Sequence, residues 1–256
     1  MVCWRDYMNK IVLLVGATSM IGRACARVLS EKNMTMILLG RDSEKLGNLK
    51  RASDSADAHV LDVTSEPQIE SIVAEVLKTY GSIDAVIYNA GIYPWKDIES
   101  LSLQAWRDTL DVTLTGAFLM TKACAKIMKK QRSGKFVFIS SLAGETIGVP
   151  HMSAYATSKA GLNGFMRTAA LELAPFKITA NSISPGKVYD AASMTEAEIL
   201  DKTKPIPLRR FVEGEDIAHM AAFLISDLAK NITGQNFVID GGQSILGEEG
   251  HVVDVL

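Results

Sequence analysis

Cysteine is scarce in this 256-residue chain. Cys3, Cys25 and Cys124 are odd in number, lie far apart and form neither a C-x-x-C pair nor a metal-ligand spacing. That excludes a disulfide framework and a zinc site built on cysteines. Reduced thiols in a cytoplasmic protein are expected, with Cys25 and Cys124 in the core. Neither sign of charge dominates. There are 27 Lys and Arg against 29 Asp and Glu, for a formal net charge of −2 and a pI near 6.1. The basic stripe of a nucleic-acid binder is missing. The densest basic cluster, Lys126, Lys129, Lys130, Arg132 and Lys135, sits at an expected helix end, where cations complement the helix dipole. No apolar run approaches the roughly 18 residues of a membrane-spanning helix. No charged start followed by an apolar run and a cleavage site is present, so a secretory leader is not expected. Repeats and low-complexity linkers are also absent.

The residues that are present read as a globular chain, 48% hydrophobic and 22% charged, long enough to bury a core without staples. Seven short apolar runs are strand candidates: "KIVLLV" (10–15), "MTMILL" (34–39), "ADAHVL" (56–61), "IDAVIY" (83–88), "KFVFIS" (135–140), "KITANSIS" (177–184) and "NFVID" (236–240). Helical patterns separate them, among them "ARVLSE" (26–31) and stretches near 66–79, 102–131, 153–173 and 214–225. The runs are apolar on both faces, as in a parallel sheet covered by helices on both sides. The alternation predicts an α/β fold, a doubly wound parallel seven-stranded sheet of Rossmann type in one domain over residues 1–256. The segment 186–207 carries the least pattern and reads as an excursion between the sixth strand and the last helix. The tail after Gly242 is expected to pack against a partner subunit.

"VGATSMIG" (15–22) follows the first strand and opens a helix. Gly16 suits the tight turn and Gly22 close helix–strand packing, and a helix N-terminus offers N–H groups to a pyrophosphate. The second strand ends in "LLGRD". An acidic residue at its end would hold the ribose 2′-OH of NAD. Here Gly40 is followed by Arg41, which suits the 2′-phosphate of NADP(H) or is a plain surface arginine.

"SAYATSKAG" (153–161) places Tyr155 and Lys159 four residues apart, on one helical face. An ammonium beside a phenol favours the phenolate and lowers its pKa from the usual value near 10. The same spacing also fits a solvated lysine next to a packed tyrosine.

Taken in order, these pieces resemble the short-chain dehydrogenase/reductase family from Gly16 to Gly242. "GATSMIG" is similar to its glycine motif, "LDVTS" to the segment that contacts adenine, and "YNAG" (88–91) to its NNAG. "ISSLAG" (139–144) carries its serine, Tyr155 and Lys159 form its YxxxK, "SPG" (184–186) matches its Pro-Gly segment, and "ITGQNFVIDGG" (232–242) its last strand and turn. The resemblance implies Ser141, Tyr155, Lys159 and Thr113 as catalytic residues. It implies Gly16, Ser19, Met20, Ile21, Gly22, Arg41, Asp62, Val63, Asn89, Ala90, Gly91, Tyr155, Lys159, Pro185, Gly186 and Val188 as cofactor contacts. Ser140 is the alternative to Ser141, and Asn89 the one most easily read as a turn residue. The implied activity is hydride transfer between NADP(H), favoured over NAD(H), and a small carbonyl or secondary-alcohol substrate. The likeness is to 3-oxoacyl-carrier-protein reductases and sugar or polyol dehydrogenases. A substrate loop over about 187–207 and a homo-oligomer, tetramer or dimer, are implied too. No metal, nucleic acid or membrane partner is expected.

The chain departs from the family pattern in four places. Met20 replaces the middle glycine, at a cost on the order of 1 kcal/mol if that position needs φ > 0. Val15 replaces a threonine. Thr113 replaces an asparagine that supports a helix kink and a proton-conducting water. Asp190 replaces the threonine after Pro-Gly. A dinucleotide-binding sensor or scaffold with weak catalysis is the alternative function that Met20 and Thr113 favour.

Overall fold

Valine, leucine and isoleucine runs bounded by turn residues form the sheet, because both faces of each strand can be covered by helices. The computed structural model describes residues 10–52, 56–189 and 193–246. Its strands are β1 (Ile11–Val15), β2 (Thr35–Gly40), β3 (Ala56–Val60), β4 (Ala85–Tyr88), β5 (Gly134–Ile139), β6 (Ile178–Pro185) and β7 (Asn236–Ile239). They pair in parallel in the order β3-β2-β1-β4-β5-β6-β7. The order reverses between β1 and β4, where Val12–Val15 pair with Ala85–Tyr88. A crevice for ligands opens outside the carboxyl ends of strands at such a reversal.

The helices are α1 (Met20–Ser30), α2 (Ser43–Arg51), α3 (Glu66–Tyr80), α4 (Leu103–Leu110), α5 (Gly116–Gln131), α6 (Ser153–Leu173), α7 (Glu196–Thr203) and α8 (Gly214–Ile225). Strand alternation divides the core in two. Ile11, Leu13 and Val15 face α3, α5 and α6, packing with Ile69, Met120 and Leu162. Val12 and Leu14 face α1 and α8, packing with Cys25, Val28, Ile217 and Ala221. Both described cysteines are buried, and burial pushes each thiol up to about 12.

Three local features differ from the sequence reading. The helix expected over 102–131 is interrupted by a π-turn, Asp111–Thr115. Helix α2 was not foreseen, because only Leu46 on it is buried. The excursion at 186–207 contains α7, started by a reciprocal Thr195–Glu198 capping box. Cys3, Asp190 and the tail from residue 247 lie outside the described residues. Among the described residues no helix is long and apolar enough to cross a membrane, and no group of three or more His, Cys, Asp or Glu is placed to hold a metal.

Candidate active site

At the amino end of α1 the backbone itself forms the site. Gly16 has φ +78°, and a β-carbon on it would stand 2.9 Å from Ala90 N. A β-carbon on Gly22 would stand 2.3 Å from Gly16 O, so only glycine lets α1 approach the turn this closely. Ser19 caps α1, accepting from Gly22 N at 3.1 Å. Asn89, just past β4, donates through Nδ2 to Gly16 O at 3.0 Å and to Ser19 Oγ at 2.8 Å. The turn is thus held from the neighbouring strand.

This turn floors a cavity of about 330 Å³ that Gly16, Ser19, Arg41, Asp62, Val63, Asn89, Ala90 and Gly91 line together. Thr18, Gly40, Asp42, Lys45, Leu61, Ile92 and Val112 complete it. Asp42 caps α2, accepting from Lys45 N at 3.0 Å, and pairs with Lys45 Nζ at 3.0 Å. The bonds to Lys45 hold its carboxyl below the usual range. Asp62 Oδ1 accepts from Thr64 N at 2.9 Å and Thr64 Oγ1 at 2.7 Å. Those bonds, with Arg41 nearby, hold Asp62 low as well.

The second cluster stands at the carboxyl end of β5 and on α6. Lys159 is buried, and its Nζ donates to Ile139 O at 2.5 Å. Burial lowers its pKa to about 7. The Lys159 ammonium lies 5.5 Å from the centroid of the Tyr155 ring. Burial raises the phenol's pKa above 10, the neighbouring Ser141 side chain pulls it back, and Tyr93 raises it further. The expectation of an acidified phenol is therefore corrected. A lysine that has lost much of its own charge to desolvation cannot outweigh the desolvation of the phenol. Tyr93 packs edge-on to Tyr155, centroids 5.9 Å apart.

The two serines differ in their partners. Ser140 is 2% exposed, and its Oγ donates to Lys159 O at 3.3 Å, a structural bond. Ser141 Oγ accepts from Ala143 N at 3.2 Å and is the serine whose side chain acts on the Tyr155 phenol. Thr113 lies in the π-turn, fully buried, and its Oγ1 has no hydrogen-bond partner among the described residues. A β-carbon on Gly91 would stand 3.5 Å from Thr113 Oγ1 and 3.6 Å from Lys159 Nζ. The hydroxyl and the ammonium therefore border one small gap, next to the residue that ends the phosphate-side cavity.

The remaining expected contacts lie elsewhere. Met20 begins α1 and is not among the residues with positive φ, so the foreseen strain does not arise. It lines a separate cavity with Arg23, Tyr189 and Glu213. Ile21 packs on the core. Pro185 ends β6 opposite Ile239, Gly186 N donates to Ile239 O at 2.8 Å, and Val188 bridges to Val212. Sequence reasoning missed Lys45. Its signal was available, since it falls three residues after Asp42 in the first turn of a capped helix.

Residues 16–244 match the family model described as enoyl-(acyl carrier protein) reductase. The chain is 36% identical over 241 residues to the 3-oxoacyl-(acyl-carrier-protein) reductase FabG of Aquifex aeolicus, across 91% of this chain and 97% of that one. It is 35% identical over 245 residues to the NAD-dependent glycerol dehydrogenase of Listeria innocua, across 93% and 94%. Among solved structures, gox2181 superimposes with a TM-score of 0.88 at 26% identity, covering 94% of this chain and 99% of that one.

Proposed function

The chain belongs to the short-chain dehydrogenase/reductase family, and from that premise we propose that it is an NADP(H)-dependent reductase of small carbonyl substrates, 3-oxoacyl thioesters foremost. The observation that carries the reading is that Ser141, Tyr155 and Lys159 stand together, with Lys159 Nζ next to Gly91, a residue that lines the cavity at the α1 turn. The glycine turn fits the pyrophosphate of a dinucleotide. The Gly16 turn leaves no side chain between β1 and Ala90, and the α1 N-terminus is open to a pyrophosphate. Gly16, Ser19, Asp62, Val63, Asn89, Ala90 and Gly91 would hold it. When bound, the nicotinamide supplies or accepts the hydride.

The protein's own side chains handle the proton. Hydride addition builds negative charge on the carbonyl oxygen, so a donor must stand within hydrogen-bond reach. Tyr155 is that donor. A phenol whose pKa is raised stays protonated at neutral pH, which suits the direction of reduction. Ser141, beside Tyr155, orients the substrate oxygen. Lys159, with a pKa near 7, takes up and releases protons at working pH and restores the phenol's proton.

NADP(H) is our choice over NAD(H) because two cations, Arg41 and Lys45, border the cavity where β2 ends. The acid between them, Asp42, is engaged in capping α2. A homo-oligomer formed through α5 and α6 belongs to the same reading, supported by Phe118 and Leu171, 46% and 78% exposed on those helices. A light-scattering mass of one chain would refute it. The deciding experiment mixes the protein with NADPH and follows fluorescence, then absorbance decay with 3-oxoacyl thioesters, diketones and simple ketones. Oxidation of NADPH with a 3-oxoacyl thioester is expected. Binding without turnover on every substrate would replace this reading with that of a dinucleotide sensor.

A further inference from the structure

A buried tyrosine outside the catalytic set touches the π-turn. Tyr88 ends β4, is 1% exposed, and occupies the first position of "YNAG". Its hydroxyl donates to Val112 O at 2.5 Å. Within the turn, Gly116 N–H donates to Asp111 O, five residues back. The α-helical bond that Val112 O would otherwise take from Gly116 is therefore given away, and a side chain from the sheet supplies a donor in its place. Space for that side chain is specific. A β-carbon on Gly116 would lie 2.3 Å from the Tyr88 hydroxyl. The residue after Val112 is Thr113, whose unpartnered Oγ1 borders the gap shared with Lys159 Nζ.

We propose that Tyr88 is a positioning residue: its hydroxyl holds the Val112 carbonyl, keeps the π-turn open, and so sets the Thr113 hydroxyl over the gap it shares with the Lys159 ammonium. The inference rests on the reading above, in which Lys159 serves the reaction. It gives Tyr88, Thr113 and Gly116 one physical purpose. Threonine is shorter than an amide side chain and has one rotatable hydroxyl, so its use at this place depends on where the backbone puts it. An oxygen facing the gap can accept from the ammonium through a water, and so favours the charged form.

The test reads Lys159 directly in cofactor-free protein, by following the ε-carbon resonances of carbon-13-labelled lysines against pH. Lys159→Arg assigns the signal. The parent is expected to titrate near 7. Tyr88→Phe and Thr113→Val should each lower the midpoint. The double variant should lower it no further than Thr113→Val alone, because one residue acts through the other. Thr113→Ser, which keeps the hydroxyl, should hold the parent value. An unmoved midpoint in Tyr88→Phe, an unmoved midpoint in Thr113→Val, or shifts that add would each overturn the proposal. Thermal melts report whether each variant folds. If Tyr88→Phe does not, Gly116→Ala stands in for it, since its methyl must displace the same hydroxyl and lower the midpoint. If no carbonyl substrate is turned over, the reductase reading falls while the lysine titration still decides this one. Where turnover is found, Tyr88→Phe should reduce kcat about threefold to tenfold, the loss of one hydrogen bond, with the NADPH KM unmoved.

Discussion

The two ends of the crevice are built on opposite principles. At the phosphate end, polar side chains are satisfied by the chain itself. Asn89 bonds Gly16 and Ser19, Ser19 caps α1, Asp42 caps α2 and Asp62 accepts from Thr64. The glycine turn is shaped before any ligand arrives. At the other end, burial shifts the groups from their behaviour in water. Lys159 loses charge, the Tyr155 phenol becomes harder to ionise, and Thr113 Oγ1 is buried without a partner among the described residues. On the proposed function, the first end recognises with rigid backbone and the second stores electrostatic cost where protons would move.

The sharpest way to separate the two ends is Tyr155→Phe. Removing one hydroxyl from the catalytic end should reduce turnover about 1,000-fold, the scale of a lost general acid. NADPH binding should stay within about threefold, because the phosphate-side cavity does not include Tyr155. Absorbance decay and a fluorescence titration measure the two. Retained turnover would mean that another group donates the proton.

Lys159→Met tests the stored cost. The folded pKa of Lys159, about 7, lies below its unfolded value of 10.5. As pH falls from 10.5, the unfolded chain takes up this proton first. The parent therefore loses stability from this group down to about pH 7 and levels off below that. Methionine carries no such penalty. The variant should gain on the parent by on the order of 3 kcal/mol between pH 10 and pH 7, while turnover is lost. Denaturant melts at the two pH values check it. A stability difference that does not depend on pH would show that Lys159 is not desolvated as described.

The same contrast explains what the sequence made legible. The strand set and the order of the motifs were readable because apolar runs and glycine turns are local patterns. Gly16 and Gly22 proved to be glycine for the foreseen reasons. The direction of the Tyr155 shift was not readable, because the Tyr155–Lys159 spacing shows proximity and says nothing of burial. Ser140 and Ser141 became distinguishable only through Lys159 O, a contact from another element. Helix α2 escaped notice because it buries one leucine. Tyr88 stood in the sequence only as the end of a strand run and the start of "YNAG", and its bond to Val112 O joins β4 to a turn 24 residues away.

Arg41 offers the smallest effect and the finest test of the phosphate end. Asp42 is the acid that might have greeted an NAD ribose, but its oxygens are turned to Lys45 N and Nζ. On the proposed function Arg41 meets a 2′-phosphate, with Lys45 beside it, already paired to Asp42. Arg41→Asp should lower the NADPH-to-NADH affinity ratio about tenfold to a hundredfold, the range of a charge-assisted contact made and then reversed in sign. Lys45→Ala should lower it about threefold. Lys45 is an exposed, already paired cation, and removing it also frees the Asp42 carboxylate. Fluorescence titration with both dinucleotides gives the ratios. If Arg41→Asp leaves the ratio unchanged, the cations at the end of β2 are surface charges, and the preformed end of the crevice reads the adenine and pyrophosphate alone.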